Sequence, residues 1–352
     1  SSPYVGDTKR KLTDSGLRNS SAQMLPCSSV ILSSRAPIGH LVINTVPMAT
    51  NQGCKGLVPG GQLNYKFLYH YLSSIVDVLN SLGTGATFKE LSGGKLKEVT
   101  IPIPSLAEQK RIVGILDEAF EGIATAKANA EKNLQNARAL FESHLQSVFA
   151  DAWRTAELVP LSELATDVTD GDHLPPPKSS TGVPFITIGN IVKQSRKIDF
   201  ADTFLVPHSY FNALKPNKRP KKGDVLYTVT GSFGIPVVLP EDMEFCFQRH
   251  IGLIRPKPET NTAWLYYLLL SPQIFKQASD GATGTAQKTV SLKILRSFVV
   301  PKIALRQQLQ LAAKLDSLAA EAQHLESIYQ QKLAALDALK KSLLHQAFTG
   351  QL

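Results

Sequence analysis

Two long stretches of the chain carry apolar residues at steps of three and four only. The first runs through Ile112, Leu116, Ala119, Ile123, Ala126, Ala130, Leu134, Ala137, Phe141, Leu145 and Val148. The second runs through Leu311, Leu315, Leu318, Ala322, Leu325, Tyr329, Leu333, Leu336, Leu339 and Leu343. Such steps mark one face of an α-helix, and neither stretch holds an internal proline. Ser105-Leu-Ala-Glu108, behind Pro104, has capping-box spacing and sets where the first helix begins. About 46 residues at 1.5 Å each make a rod of roughly 69 Å. Rods of that length overhang an ordinary domain and need a partner stripe. The two helices are therefore expected to pair as an antiparallel coiled coil, Ile112, Leu116, Ile123 and Leu134 against Leu315, Leu325 and Leu336.

Before each helix the pattern is mixed. Ser29–Ser33, Val183–Ile188, Asp224–Val229 and Pro236–Leu239 read as strands bounded by Gly and Pro. Helices are predicted over Lys66–Leu79 and Ala263–Gln277. The class is α+β.

The chain repeats itself. At an offset of 199 positions, Ile101-Pro-Ile-Pro104 through Glu108-Gln109 meets Val300-Pro301 through Gln307-Gln308. Thr84-Gly85 meets Thr283-Gly284, Lys89 meets Lys288, Ser92 meets Ser291, Leu116-Asp117 meets Leu315-Asp316 and Phe149 meets Phe348. Upstream the offset slips to about 195, where Val30 meets Val225 and Gly39 meets Gly234, as loop insertions produce. The expected segments are 1–104 and 151–302, both mixed, each followed by a helix, 105–150 and 303–352. The second unit, from Trp153, has 200 residues and the first 152. Trp153–Phe200 has no counterpart before Ser1, which reads as a truncated or processed chain, with a natural short form as the alternative.

Composition narrows the class. The chain has 352 residues, 43% of them hydrophobic and 19% charged, enough to bury a core and too apolar for disorder. No window approaches 18 consecutive apolar residues, and the first twenty are polar, so neither a membrane span nor a secretory signal is predicted. Three cysteines, Cys27, Cys54 and Cys246, lack metal or redox spacing, and a reducing cytoplasm is expected. The net charge of +9 divides along the four segments as +5, −1, +4 and +1. The basic excess sits in the two mixed parts, which suits nucleic acid.

Enzyme constellations are not recognisable. Gly83-Thr-Gly-Ala-Thr lacks the Gly-Lys-Ser/Thr of a phosphate loop. Ser92-Gly-Gly-Lys95 lacks the companion motifs of a penicillin-binding fold. Asp170-Gly-Asp172-His173 has no second cluster that would make it a metal site, and reads as a solvated turn before Pro175-Pro176-Pro177. Cations do cluster. Lys218, Arg219, Lys221 and Lys222 lie within Lys215–Lys222, preceded by Lys193, Arg196 and Lys197; they are candidate phosphate contacts, against a solvated Pro-stiffened loop. Arg35, Gln248 and Arg249 sit beside predicted strand ends, where base-edge readers could lie.

Gly85-Ala-Thr-Phe-Lys-Glu-Leu-Ser92, Ile101-Pro-Ile-Pro104-Ser-Leu-Ala-Glu108-Gln109 and the helix after them closely resemble the specificity subunit of type I restriction–modification systems. Gly284-Thr-Ala-Gln287, Val300-Pro301, Gln307-Gln308 and the closing Leu343–Leu352 look like the same pattern again. Trp153 with Val159–Leu164 is similar to the start of a target-recognition domain, and Asp170–His173 to a turn common there. The resemblance implies two target-recognition domains, each reading one half of a split, asymmetric DNA target, the first incomplete at its start. It implies a non-catalytic scaffold for two adenine-N6 methyltransferase subunits and for restriction subunits. S-adenosylmethionine, ATP and Mg²⁺ would then belong to those partners, with no cofactor or metal in this chain. A fused methyltransferase would need an Asn/Asp-Pro-Pro-Tyr/Phe element, which Leu174-Pro-Pro-Pro177 is not. A stand-alone coiled-coil DNA-binding scaffold or regulator is the alternative.

Overall fold

The computed structural model describes residues 3–35, 37–85 and 89–352. Residues 86–88, inside the Gly85–Ser92 motif, thus lie outside the described residues. The chain forms two compact units, residues 1–134 with 328–352 (unit 1) and residues 135–327 (unit 2). This differs from the four-segment expectation because each long helix is shared. Leu106–Thr155 gives its first part to unit 1 and the rest to unit 2, and Leu305–Phe348 does the reverse.

The first long helix continues to Thr155, past the expected end at 150. No Gly or Pro interrupts the chain there until Pro160. Trp153, expected to open the second domain, instead lies in the last helical turn, edge-on to Phe149 at 5.8 Å. At the other end Ser105 Oγ accepts the Glu108 N–H at 3.3 Å. Only half the capping box forms, because the Glu108 carboxylate takes two bonds from Arg111, at 2.8 and 2.7 Å. A charge-assisted fork outcompetes a single bond back to the cap.

Within each unit the helices pair antiparallel. In unit 1, Ile112, Val113 and Leu116 pack with Leu344 and Ala347, and Lys127 meets Asp337 at 2.7 Å. In unit 2, Leu145 and Phe149 share a core with Ala312 and Leu315, and Arg138 meets Glu326 at 2.9 Å. Higher numbers on one helix meet lower numbers on the other. Ile112, Leu116, Ile123 and Leu315 are buried, whereas Leu134 and Leu336 are half-buried and Leu325 is 37% exposed. Ala130 and Ala137 are the buried residues of that stretch.

Unit 1 holds a four-stranded sheet in the order Tyr4–Val5, Ile38–Asn44, Val30–Ser34, Cys54–Leu57. Only the first pair is parallel. Unit 2 has the corresponding meander Pro236–Val238, Val225–Thr228, Ile251–Pro256, with Ala165–Asp170 added beside the last strand. That extra strand comes from the segment without a counterpart, so Cys54–Leu57 stands at a sheet edge where Ile251–Pro256 does not. A second sheet in unit 2, Phe204–Val206, Val183–Ile186, Cys246–Phe247, closes over its own apolar cluster.

Each helix predicted behind the meander is two helices. Lys66–Leu79 is Tyr65–Ser74 and Val76–Ser81, broken at Ile75 (φ −111°, ψ 19°). Ala263–Gln277 is Thr262–Leu270 and Pro272–Gly281. In unit 2 the cause is Pro272, which cannot continue the helix before it but suits the first turn of the next, capped by Ser271. No helix among the described residues is long and apolar enough to cross a membrane.

Candidate nucleic-acid interface

The repeated Thr-Gly motif forms a strap that closes onto the meander. In unit 2, Thr283 and Thr289 exchange backbone hydrogen bonds at 3.0 and 2.8 Å, and Val290 N–H donates to Val229 at 2.8 Å. Gly231 N–H donates to Lys288 at 3.0 Å, and the hydroxyls of Thr289 and Thr230 meet at 3.3 Å. In unit 1, Thr84 and Glu90 exchange bonds at 3.1 and 2.9 Å, Leu91 N–H donates to Ser34 at 2.8 Å, and the backbones of Arg35 and Glu90 pair as an isolated antiparallel β-bridge. The backbone repeats while the side chains do not: Arg35 and Glu90 stand where unit 2 has Thr230 and Thr289.

Beside the unit 2 strap lies the Asp170–His173 turn. The turn expected from sequence to be solvated exposes His173 and Leu174, but its backbone is tied down. Asp172 N–H donates to Phe247 at 2.8 Å, and Arg249 N–H donates to Asp172 at 3.0 Å. A Cβ on Gly171 would sit 1.8 Å from the Phe247 carbonyl oxygen, so only glycine fits. His173 Nε2 lies 2.8 Å from Asp170 Oδ2. Among the described residues no three His, Cys, Asp or Glu are grouped to hold a metal. Turn, strap and Arg249–His250 enclose a cleft of about 450 Å³.

The basic candidates do not form one patch. Lys218 donates to the Gly171 carbonyl at 3.1 Å and lies 3.9 Å from Asp170, bracing the turn from below. Arg219 donates to the carbonyls of Leu214, at 3.1 Å, and Asn212, with its guanidinium over Phe211. Both are half-buried, so their donors serve the loop itself. The loop is also pinned by Arg255, which binds Asp224 at 2.9 and 2.8 Å and the Arg219 carbonyl at 2.8 Å. Lys221 and Lys222 point outward, their backbone N–H groups held by Asp224 and Asp242 at 2.9 and 2.8 Å.

Lys222, Arg196 and Lys197 come together around a separate cavity of about 820 Å³, lined also by Phe200, Met243 and Tyr266. Arg196 holds a left-handed backbone, φ 51°, and its guanidinium interacts with the Tyr266 hydroxyl. Lys193 is exposed on the same hairpin. Gln248 is half-buried, its backbone N–H bound to Ile186 at 2.9 Å, while Arg249 is exposed at the cleft. Arg35 is exposed in unit 1, with its Nε near Gly53. Sequence reasoning missed the cleft's threonines and His250. The signal for Thr289 was the repeat itself, since it lies between the aligned Lys288 and Ser291.

The family model for the type I restriction modification DNA specificity domain matches residues 2–135 and 156–333. The type I restriction enzyme EcoBI specificity subunit of Escherichia coli is 24% identical over 337 residues, covering 87% of this chain and 70% of that protein. The MjaIX specificity subunit of Methanocaldococcus jannaschii is 30% identical over 170 residues, 48% of this chain, and the match spans only 39% of that relative's length. A solved chain reported under the structural basis of complex assembly and conformational transition of the type I R-M system superposes with TM-score 0.80 at 20% identity. The match covers 96% of this chain and 86% of that one. The HsdS subunit of Thermoanaerobacter tengcongensis gives 0.61, also at 20% identity, with coverages of 94% and 82%. At that identity the likeness speaks for the fold alone. With the family model matching both halves of the chain, the protein belongs to the type I restriction–modification DNA specificity family.

Proposed function

We propose that the chain is a non-catalytic DNA-specificity subunit that reads a bipartite, asymmetric target and scaffolds two adenine-N6 methyltransferase subunits and restriction subunits in the cytoplasm. One observation carries this reading. The same strap-on-meander scaffold occurs once in each unit with different polar side chains where the strap meets the meander, Arg35 and Glu90 against Thr230 and Thr289. Two copies of one frame with exchanged hydrogen-bonding groups suit two half-sites of different sequence. The outward Lys221 and Lys222 supply the sequence-independent attraction to phosphate. S-adenosylmethionine, ATP and Mg²⁺ belong, in this reading, to the partner subunits.

Co-purification from the native host tests it. The tagged chain is expected to bring down methyltransferase chains, and the complex to methylate adenine in a split motif from labelled S-adenosylmethionine. Methyl transfer by the highly purified single chain, or a complex whose methylation ignores sequence, would overturn the proposal. A chain that binds DNA without methyltransferase chains would favour the stand-alone scaffold.

A further inference from the structure

We infer that the unit 2 cleft between the Asp170–His173 turn, Arg249–His250 and the Thr283–Thr289 strap receives the edge of a base pair, with Arg249 as the specificity-determining residue. This rests on reading the chain as a DNA-specificity subunit and adds where, and through which side chain, one half-site is read.

The cleft is small, about 450 Å³, and its floor is the apolar pair Val229 and Val290, joined by a 2.8 Å backbone bond. Its rim carries Thr230, Thr289, His173, Arg249 and His250. These are hydrogen-bonding groups on a rigid frame, since turn and strap are both stitched to the sheet. The Arg249 guanidinium has no hydrogen-bond or ion-pair partner among the described residues. Arg219, Arg255 and Arg296 in the same unit all donate to carbonyls. A planar fork with its donors unused, anchored by its own backbone to Asp172, suits a guanine O6/N7 edge. Burial, with Arg249 beside it, holds the His250 imidazole below its ordinary pKa. At neutral pH His250 is therefore uncharged and offers one donor and one acceptor. The outward lysines are point charges, and phosphate contacts carry no base information.

The test uses the chain assembled with its host methyltransferase subunits. Binding is measured to the parent's methylated motif and to duplexes with each base pair of that motif replaced singly. Arg249→Ala and Arg249→Lys are both expected to lose roughly 10- to 100-fold discrimination at one base pair of one half-site, with the other half unchanged. Arg249→Lys keeping full discrimination, or Arg249→Ala weakening every duplex by one common factor, would mark a phosphate contact and overturn the inference. A parent complex with no split-motif preference would instead remove the specificity reading on which it rests. Arg249 is exposed, so unchanged thermal melting of both variants confirms that the fold is intact.

Discussion

Gln308 accepts the backbone N–H of Asn261 on its side-chain oxygen at 2.7 Å, while its amide donates to the carbonyls of Ile303 and Glu259 at 2.9 and 3.3 Å. Gln109 does the same for Asn64 at 2.8 Å, donating to Pro104 and Gln62 at 2.8 and 2.9 Å. Both amides are buried, 2% and 0% exposed. Asn261 and Asn64 in turn cap the helices Thr262–Leu270 and Tyr65–Ser74. One glutamine per unit thus ties the start of a long helix to the helix packed on the sheet.

Replacing Gln308 with Ala should cost about 1–3 kcal/mol, because buried backbone groups lose their partners. Gln308→Glu is more informative. A carboxylate cannot donate to the two carbonyls, and burial raises its pKa in the folded state above the unfolded value. The folded state then binds the extra proton, so the variant's stability falls as pH rises through the acid range. Thermal unfolding should show a smaller deficit at pH 5 than at pH 8, and equal deficits would refute the clamp.

The repeat exposed these glutamines in the sequence as Glu108-Gln109 and Gln307-Gln308, yet nothing in periodicity says which side chain turns inward. Helix existence was legible because the three–four stripe of Ile112–Val148 reflects a buried face. Its end was not, since no Gly or Pro stops the chain before Pro160 and the helix runs on through Trp153, which packs on Phe149. Leu325 fitted the stripe and lies at the surface, because a 3.6-residue period drifts across a straight seam. The cleft was invisible for another reason. Asp170, Thr230, Arg249 and Thr289 are far apart in sequence and meet only when turn and strap are stitched to the sheet.

In unit 1, His70 couples stability to pH. It is buried, its Nε2 is 2.9 Å from Asp117 Oδ1, and its Nδ1 has no partner among the described residues. Burial lowers its pKa, outweighing Asp117, because a second ring proton would have no acceptor. For Asp117, burial alone would raise the pKa, but bonds from Lys66, at 2.6 Å, and His70 bring it below the usual carboxylate range. His70 therefore contributes stability fully present above about pH 6.5, the unfolded value, and lost as pH falls from there through the folded value. Asp117's contribution is lost only below about pH 4. His70→Gln should remove the loss between pH 7 and 5 in thermal unfolding; a persistent loss would place it elsewhere.

The helix seam makes a graded prediction. Leu116 and Leu315 are fully buried, so replacement by Ala should cost about 2–5 kcal/mol each. Leu325→Ala, at a 37% exposed site, should cost far less. The ranking, read from denaturant unfolding, is the check. A cost at Leu325 equal to that at Leu116 would mean the seam runs through the stripe as the periodicity alone suggests.

The basic loop should split into two functions. Lys221 and Lys222 point outward, so Lys221→Ala with Lys222→Ala should leave melting unchanged. In the methyltransferase complex the pair should weaken specific and random duplexes alike. The slope of log affinity against log salt should flatten by ~0.9 for each phosphate no longer neutralised. Lys218 and Arg219 behave differently, because their donors already hold Gly171, Leu214 and Asn212. Lys218→Ala with Arg219→Ala should lower thermal stability and loosen the Asp170–His173 turn. Because that turn lines the cleft, the same variant should also lose discrimination in one half-site while its salt slope stays near the parent's. Flattening of the slope by Lys218 and Arg219, with melting intact, would return them to the role of phosphate anchors. The opposition is sharp because the two pairs are neighbours in sequence and carry the same formal charge, so only their hydrogen bonding separates them.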